Sequence, residues 1–349
     1  MKYRLLAALC YCLHMTSFAT VILQYHHVSE TTPASTSISP DQFSLHMQYL
    51  KDNNFKVIPL STLMQSIKQK QALPDKSVVI TFDDAYLDIL TNGKPILDQY
   101  DFPFTIFVNP SIVERNSPRY LSWQQLKAMA DDGVIIANHG MKHDSLARIP
   151  DGMSEPEWLA ENTQSLLAAE QLIKEKTGQS WHYFAYPYGE YTPNIQQWVK
   201  DNNFVGFSQQ SGAVGLETDT TTIPRFPASQ PYDQISSLRD KLNALPFNIT
   251  LADENQQTLF KKGQSTSVTF NVEVDDFNPA QLNCYISGLG RQKIAWQGDE
   301  MFTINYSAPL PSGRVRCNCT APSISEPGRY YWFSKPWFIL KESGKWYPL

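Results

Sequence analysis

From Thr20 to about Leu245 short β-rich runs alternate with helical patterns, and this alternation constrains the fold of the 349-residue chain more than any other feature. It is the signature of repeated βα units around a parallel sheet. Strands are predicted over residues 21–25, 56–59, 78–82, 104–108, 134–137, 183–186, 204–207 and, as a short one, 222–224. Helices between them open on capping residues: Ser39-Pro40 before 41–53, Ser61 before 62–69, Ser122 before 123–131 and Thr192-Pro193 before 194–201. Ser154 opens the longest, which runs to about Thr177 ahead of Gly178. Seven or eight such units predict an α/β fold closed into a distorted (β/α) barrel, because open two-sided sheets of this size alternate more evenly.

After Asn243-Ala244-Leu245-Pro246 the texture changes to Ser/Thr-rich alternating runs over 265–274, 284–286, 302–306, 315–319 and 330–340. No helical pattern interrupts them, and Pro309, Pro311 and Gly313 punctuate turns. The reading is a small C-terminal antiparallel β-sandwich over 246–349, behind a barrel over 20–245. Ahead of both, Lys2 and Arg4 precede an apolar run from Leu5 to about Met15 and then Ser17-Phe18-Ala19. That reads as a secretory signal, residues 1–19, cleaved after Ala19. The run is short for a membrane span, so a secreted or periplasmic protein with no stable span after cleavage is expected. Cys10 and Cys12 fall inside the signal and leave Cys284, Cys317 and Cys319. One disulfide and one thiol are expected, Cys284 pairing with Cys317 or Cys319, which are expected to point to opposite faces of their sheet. A zinc site from these cysteines would lack a fourth ligand.

A net charge of -5 without long like-charge runs offers no basic stripe and argues against a nucleic-acid partner. Chemistry is carried by four motifs. Asp83 and Asp84 end the apolar run that starts at Ser77, so at the carboxyl edge of a barrel one carboxylate can bind a metal and the other move a proton; taken alone, either could as well cap a following helix. His139 and His143, four apart, are read as sharing one face of a helical turn, a spacing at which both reach one divalent ion. Together with a carboxylate they make a two-His, one-acid site. Phe184-Ala185-Tyr186-Pro187-Tyr188-Gly189 ends another strand in a turn that can aim a main-chain amide at a substrate oxygen. Tyr25-His26-His27 ends the first strand, where a histidine can protonate a leaving amine, and spacing does not separate His26 from His27.

The set, in this order over roughly residues 21–245, resembles the polysaccharide deacetylases of carbohydrate esterase family 4. The resemblance implies Asp83 as general base and Asp84, His139 and His143 as metal ligands, with Gly140 where the family usually has Ser or Thr. It also implies that the Tyr188 amide helps form an oxyanion hole. The family's Arg before that turn is missing; Arg225, in Ile223-Pro224-Arg225-Phe226-Pro227, is the candidate to orient Asp83 in its place. A later Leu-x-His motif is also absent, since no His follows His182. The branch acting on poly-β-1,6-N-acetylglucosamine instead begins with Tyr-His, which Tyr25-His26 matches, making His26 the expected general acid and His27 its rival. The implied activity is N-deacetylation of N-acetylglucosamine units in an exopolysaccharide, chitin-like polymer or peptidoglycan. The implied cofactor is a divalent metal, Zn2+ first, with Co2+, Ni2+ or Mn2+ able to serve. An O-acetyl esterase acting on xylan, or a carbohydrate-binding protein on a decayed fold, are the alternatives.

Overall fold

The computed structural model describes residues 19–253 and 258–349. The expected signal, apart from Ala19, lies outside the described residues. Eight parallel strands build one sheet: β1 (Thr20–Tyr25), β2 (Lys56–Val57), β3 (Ser77–Asp83), β4 (Phe104–Val108), β5 (Ile135–Asn138), β6 (Tyr183–Ala185), β7 (Val205–Phe207) and β8 (Phe226–Pro227). Their spatial order is β8-β1-β3-β4-β5-β6-β7, with β2 also on β3. Both faces of β3 are covered, which is why its sequence is mainly apolar, with Val78, Val79, Ile80 and Phe82 among its seven residues. Val78, Ile80 and Phe82 pack with Phe43, Met47 and Leu50 of α1 (Pro40–Asp52), whereas Val79 packs with Leu60, Leu63 and Ile67 of α2 (Leu60–Gln69).

The sheet curls until its ends nearly meet. The expected strand over 222–224 is not formed; the last strand lies just beyond it, at Phe226–Pro227. An Asp219-centred turn, whose carboxylate accepts from the Thr221 amide and hydroxyl, occupies the chain just before, and Pro224 has no N–H to give a ladder. What remains is a single parallel bridge, Phe207 with Ile223, which closes the distorted barrel. Gly206 makes this approach possible: a Cβ there would lie 2.1 Å from the Thr221 carbonyl oxygen.

The helix starts follow the capping chemistry. Ser39 and Thr192 accept from the amides of Gln42 and Ile195, and Ser122 and Ser154 close capping boxes with Gln125 and Glu157. Ser61 does not cap; the second helix begins at Leu60 behind Pro59 without a side-chain cap. Three helices, Lys94–Asp98, Pro110–Val113 and Ile235–Leu242, lie in stretches with no expected element.

The C-terminal strands are β9 (Ala244–Pro246), β10 (Ile249–Leu251), β11 (Leu259–Lys261), β12 (Ser267–Val272), β13 (Asn283–Ile286), β14 (Gly290–Gln292), β15 (Ile294–Trp296), β16 (Met301–Asn305), β17 (Gly313–Pro322) and β18 (Tyr330–Leu340). They form two sheets, β9-β18-β17-β13-β14 with β11 also on β18, and β10-β12-β16-β15. Phe270, Phe302, Ile304, Val315 and Trp337 fill one core between them. Pairing is antiparallel except for β9 and β11, which run parallel to β18. Cys284 and Cys319 are disulfide-bonded and Cys317 is a buried thiol. The expectation that Cys317 and Cys319 face opposite ways is wrong: two apart in one strand, they share the buried face. Register selects the partner, since Cys284 stands opposite Cys319 while Cys317 stands opposite Ile286.

Gly206→Ala is expected to destabilise the protein by about 1–3 kcal/mol through overpacking at the barrel seam, measured by urea unfolding. An unchanged midpoint would show that the seam adapts freely.

Candidate active site

The motif residues converge at the carboxyl ends of the parallel strands. Asp83 is the last residue of β3, and the chain then turns through two residues with positive φ, Asp84 at 72° and Ala85 at 54°. Non-glycine residues seldom adopt this conformation. The turn replaces the helix cap that Asp83 or Asp84 alone would suggest, and it brings both carboxylates to the same end of the barrel.

His139 and His143 are not on a helical turn. They sit on a loop after β5, with Gly140 at φ 77° and His143 at φ 64°. The loop is held from behind: the Asn109 amide donates to the carbonyls of His139 and Gly140, and the Gly140 N–H donates to Asn138 Oδ1 at 2.8 Å. His139 Nδ1 hydrogen-bonds the Ala185 carbonyl at 2.7 Å, which places its proton on Nδ1 and leaves the Nε2 lone pair toward Asp84. His139 Nε2 and His143 Nε2 lie 3.4 and 3.3 Å from Asp84 Oδ1. One ligand atom from each of the three lies within 4.8 Å of the others. Asp84 Oδ1 and His139 Nε2 are buried without a hydrogen-bond partner. Two acceptors facing each other out of water are unfavourable unless a cation or a proton lies between them, so the donor set fits a divalent ion.

The charges respond accordingly. Burial opposes the protonated form of His139, but Asp83 and Asp84 outweigh it and its pKa rises. Burial, then the neighbouring His139, bring His143 down to about 4. Burial would raise the Asp84 carboxyl, yet the two histidines hold it well below the usual carboxylate range.

Asp83 is fully buried and held by donors from three directions. Arg225 Nη1 donates to Oδ1 at 2.7 Å and Nη2 to Oδ2 at 2.9 Å, a bidentate pair, and Gln24 Nε2 donates to Oδ2 at 2.7 Å. Burial raises the Asp83 carboxyl and Arg225 more than reverses it, leaving it at about 2. Arg225, itself fully buried, sits immediately before β8 and reaches Asp83 past β1, the strand between them. The motifs alone miss Gln24, although a polar residue inside the apolar run of β1 is the available signal. The supply of the arginine from a different loop shows in the sequence only as a residue missing from its usual place.

His26 Nε2 lies 3.9 Å from Asp83 Oδ2, and His26 lines the same cleft as Asp84, His143 and Tyr188. His27 turns away, with Nδ1 2.6 Å from Asp88 Oδ2 and its ring stacked on Tyr86 at 3.5 Å. Tyr25 is buried in the core and hydrogen-bonds His46 Nδ1 at 2.9 Å. Tyr188 has φ 59° inside a tight turn, and its ring stands 4.4 Å from that of His143. The next residue must be glycine, because a Cβ at position 189 would meet Gln209 Cβ at 2.8 Å. Behind this turn, buried Glu190 accepts from Arg148 Nε and Nη2 at 2.8 and 2.9 Å, from Ser145 Oγ at 2.6 Å and from Tyr347 Oη at 2.7 Å. That cluster ties the His143 loop, the Tyr188 turn and the C-terminal β-rich part together.

Comparison with known proteins agrees with this arrangement. A family model described as polysaccharide deacetylase matches residues 70–207. A poly-beta-1,6-N-acetyl-D-glucosamine N-deacetylase of Staphylococcus epidermidis is 24% identical over 235 residues, covering 60% of this chain and 79% of its own. Among solved structures, IcaB from Ammonifex degensii superposes with TM-score 0.56 at 25% identity, over 64% of this chain and 97% of its own. A Streptococcus pyogenes deacetylase, PplD, superposes with TM-score 0.58 at 21% identity, over 65% of this chain and 99% of its own. With the barrel, the motif order and these likenesses in agreement, the parallel-sheet part of this chain is a polysaccharide deacetylase domain.

Proposed function

We propose that the protein removes N-acetyl groups from N-acetylglucosamine residues of an exported polysaccharide by metal-assisted hydrolysis. The observation that carries this reading is the facing pair of unsatisfied buried atoms, Asp84 Oδ1 and His139 Nε2, completed by His143 and set beside an anchored Asp83. A divalent ion there supplies a Lewis acid for the acetyl carbonyl and lowers the pKa of water; two imidazoles and one carboxylate suit Zn2+, with Co2+, Ni2+ or Mn2+ as substitutes. Asp83, ionised and fixed by Arg225 and Gln24, accepts the proton of the attacking water. His26, beside Asp83 in the cleft, gives a proton to the departing sugar nitrogen. The Tyr188 amide is the donor for the oxyanion.

The relatives' names support an amide polymer of β-1,6-linked N-acetylglucosamine over an ester substrate. Export, by a signal over residues 1–19, accords with the disulfide. No helix among the described residues is long and apolar enough to cross a membrane. We place the division between catalytic and β-sandwich units near residue 245.

Acetate release from N-acetylglucosamine polymers and from acetylated xylan, with and without chelator, tests the reading. Chelator-sensitive release from an amide polymer is expected; release from xylan alone would make the protein an ester hydrolase, and silence throughout a binding protein. Asp83→Asn should lower kcat by roughly 10²–10⁴-fold with metal content unchanged. Arg225→Ala leaves a buried carboxylate unpaired and should reduce stability by about 3–5 kcal/mol in chemical unfolding, together with kcat. Metal binding requires neutral His139, whose pKa is raised in the free protein. Calorimetry in buffers of differing ionisation enthalpy should therefore show proton release on Zn2+ binding below neutral pH, and affinity falling as pH drops; pH-independent binding would contradict the ligand assignment.

A further inference from the structure

The cleft over the metal ligands, about 640 Å³, is not built by the barrel alone. Arg314 and Arg316 of β17 line it opposite Asp84, His143 and Tyr188. Along β17 burial alternates: Val315, Cys317, Cys319 and Ala321 point into the sandwich core, so Arg314, Arg316, Asn318 and Thr320 share the outward face. A second hollow of about 570 Å³ runs on along that face, lined by Arg316, Asn318 and Thr320 together with Tyr232 and Tyr285. Arg316 and Tyr232 line both, so the two form one continuous groove leading away from the metal site. Tyr232 and Tyr285 are 48% and 45% exposed, flat apolar faces on which sugar rings can stack.

Neither guanidinium is neutralised by an ion pair. The arginine ion pairs among the described residues belong to Arg148, Arg225, Arg239 and Arg329, and Leu349, which also borders the cleft, pairs with neither Arg314 nor Arg316. Arg314 Nη1 donates to the Tyr188 carbonyl at 3.2 Å and its guanidinium carbon lies 6.0 Å from the Tyr188 ring. Arg316 side-chain nitrogens make no hydrogen bond among the described residues, and desolvation followed by repulsion from Arg314 lowers its pKa. The cleft-lining side chains include one carboxylate, Asp84, which a metal ion would engage, and the second hollow adds Asp240, which pairs with Arg239. Two neighbouring cations, Arg316 half-buried and Arg314 exposed, repel each other without a paired counter-charge and become favourable when an anion spans them.

We propose that Arg314 and Arg316 form an anion subsite that takes a carboxylate carried by the polymer on a sugar flanking the N-acetylglucosamine that is cut. The inference rests on the deacetylase reading above and deepens it: the C-terminal β-rich part selects an acidic acetylated glycan over a neutral one. Arg314 also touches the Tyr188 turn, so Arg316 is the residue that isolates the subsite.

The test compares kcat/KM of the full chain, loaded with Zn2+, on three oligosaccharides of equal length: a neutral N-acetylglucosamine hexamer, one alternating N-acetylglucosamine with glucuronate, and a glycan strand bearing lactyl ethers on alternate sugars. At low salt at least one acidic oligosaccharide should exceed the neutral one by roughly tenfold, the gap closing as salt rises. Arg316→Ala should remove roughly tenfold from that substrate through KM, leave the neutral one within about twofold, and be largely rescued by Arg316→Lys. Preference between the two acidic oligosaccharides identifies the carboxylate's origin. Equal turnover of all three, or Arg316→Ala slowing them alike, overturns the proposal. If no glycan releases acetate, the deacetylase reading fails by itself, and calorimetric binding of the acidic oligosaccharides, lost or kept in Arg316→Ala, still decides the anion subsite.

Discussion

The buried Asp83–Arg225 pair is the interaction on which the rest of the site depends. It joins the end of β3, in the middle of the sheet, to the residue before β8, at its edge. An unpaired carboxylate at full burial would be strongly unfavourable, and the bidentate geometry with Gln24 as third donor satisfies it. The same contact fixes which way the Asp83 oxygens point and where the last strand lies. The contact therefore spans β1, which lies between β3 and β8. The barrel itself closes on the other side of β8, at the tight approach of Gly206 where β7 meets the 220–223 segment.

Left-handed backbone at non-glycine residues occurs in turns along the chain, such as Asn54, Lys70 and Asn203, and also in the candidate site. Asp84, His143 and Tyr188 all have positive φ, although none is glycine. Each of the three follows a parallel strand, and two of the loops are held from behind: the Asn109 amide and the Ala185 carbonyl support the loop that starts at His139, and Glu190 supports the Tyr188 turn. A rigid sheet supplies the anchoring, and short loops supply the unusual directions. The β-rich part takes part in this support through Tyr347 on Glu190 and Arg314 on the Tyr188 carbonyl, so the Tyr188 turn is braced from both the parallel-sheet part and the β-rich part.

Legibility differs with the range of the interaction. The strands are readable because parallel strands covered on both faces are mainly apolar, and the helix starts are readable where a Ser or Thr meets its own N3 amide, as at Ser122, Ser154 and Thr192. Ser61 fails as a cap because Pro59 already sets the backbone for entry into that helix. The strand expected at 222–224 fails because an Asp219 turn and Pro224 compete for the same backbone groups. His139 and His143 are recognisable by spacing, but the helical turn expected for them is a loop whose positive φ values no pairwise spacing reveals.

By itself, the sequence determined the alternating βα order, the β-rich C-terminal part and the motif residues, because these rest on local propensity and on side-chain chemistry. The tertiary structure decided that Arg225, until then a candidate, reaches Asp83, that His26 and not His27 faces the cleft, that Cys284 meets Cys319, and that two arginines from a distant strand line the cleft with Asp84 and His143. Those outcomes depend on strand register and on how a curled sheet closes, which set distances between residues far apart in the chain and leave no periodic trace in it.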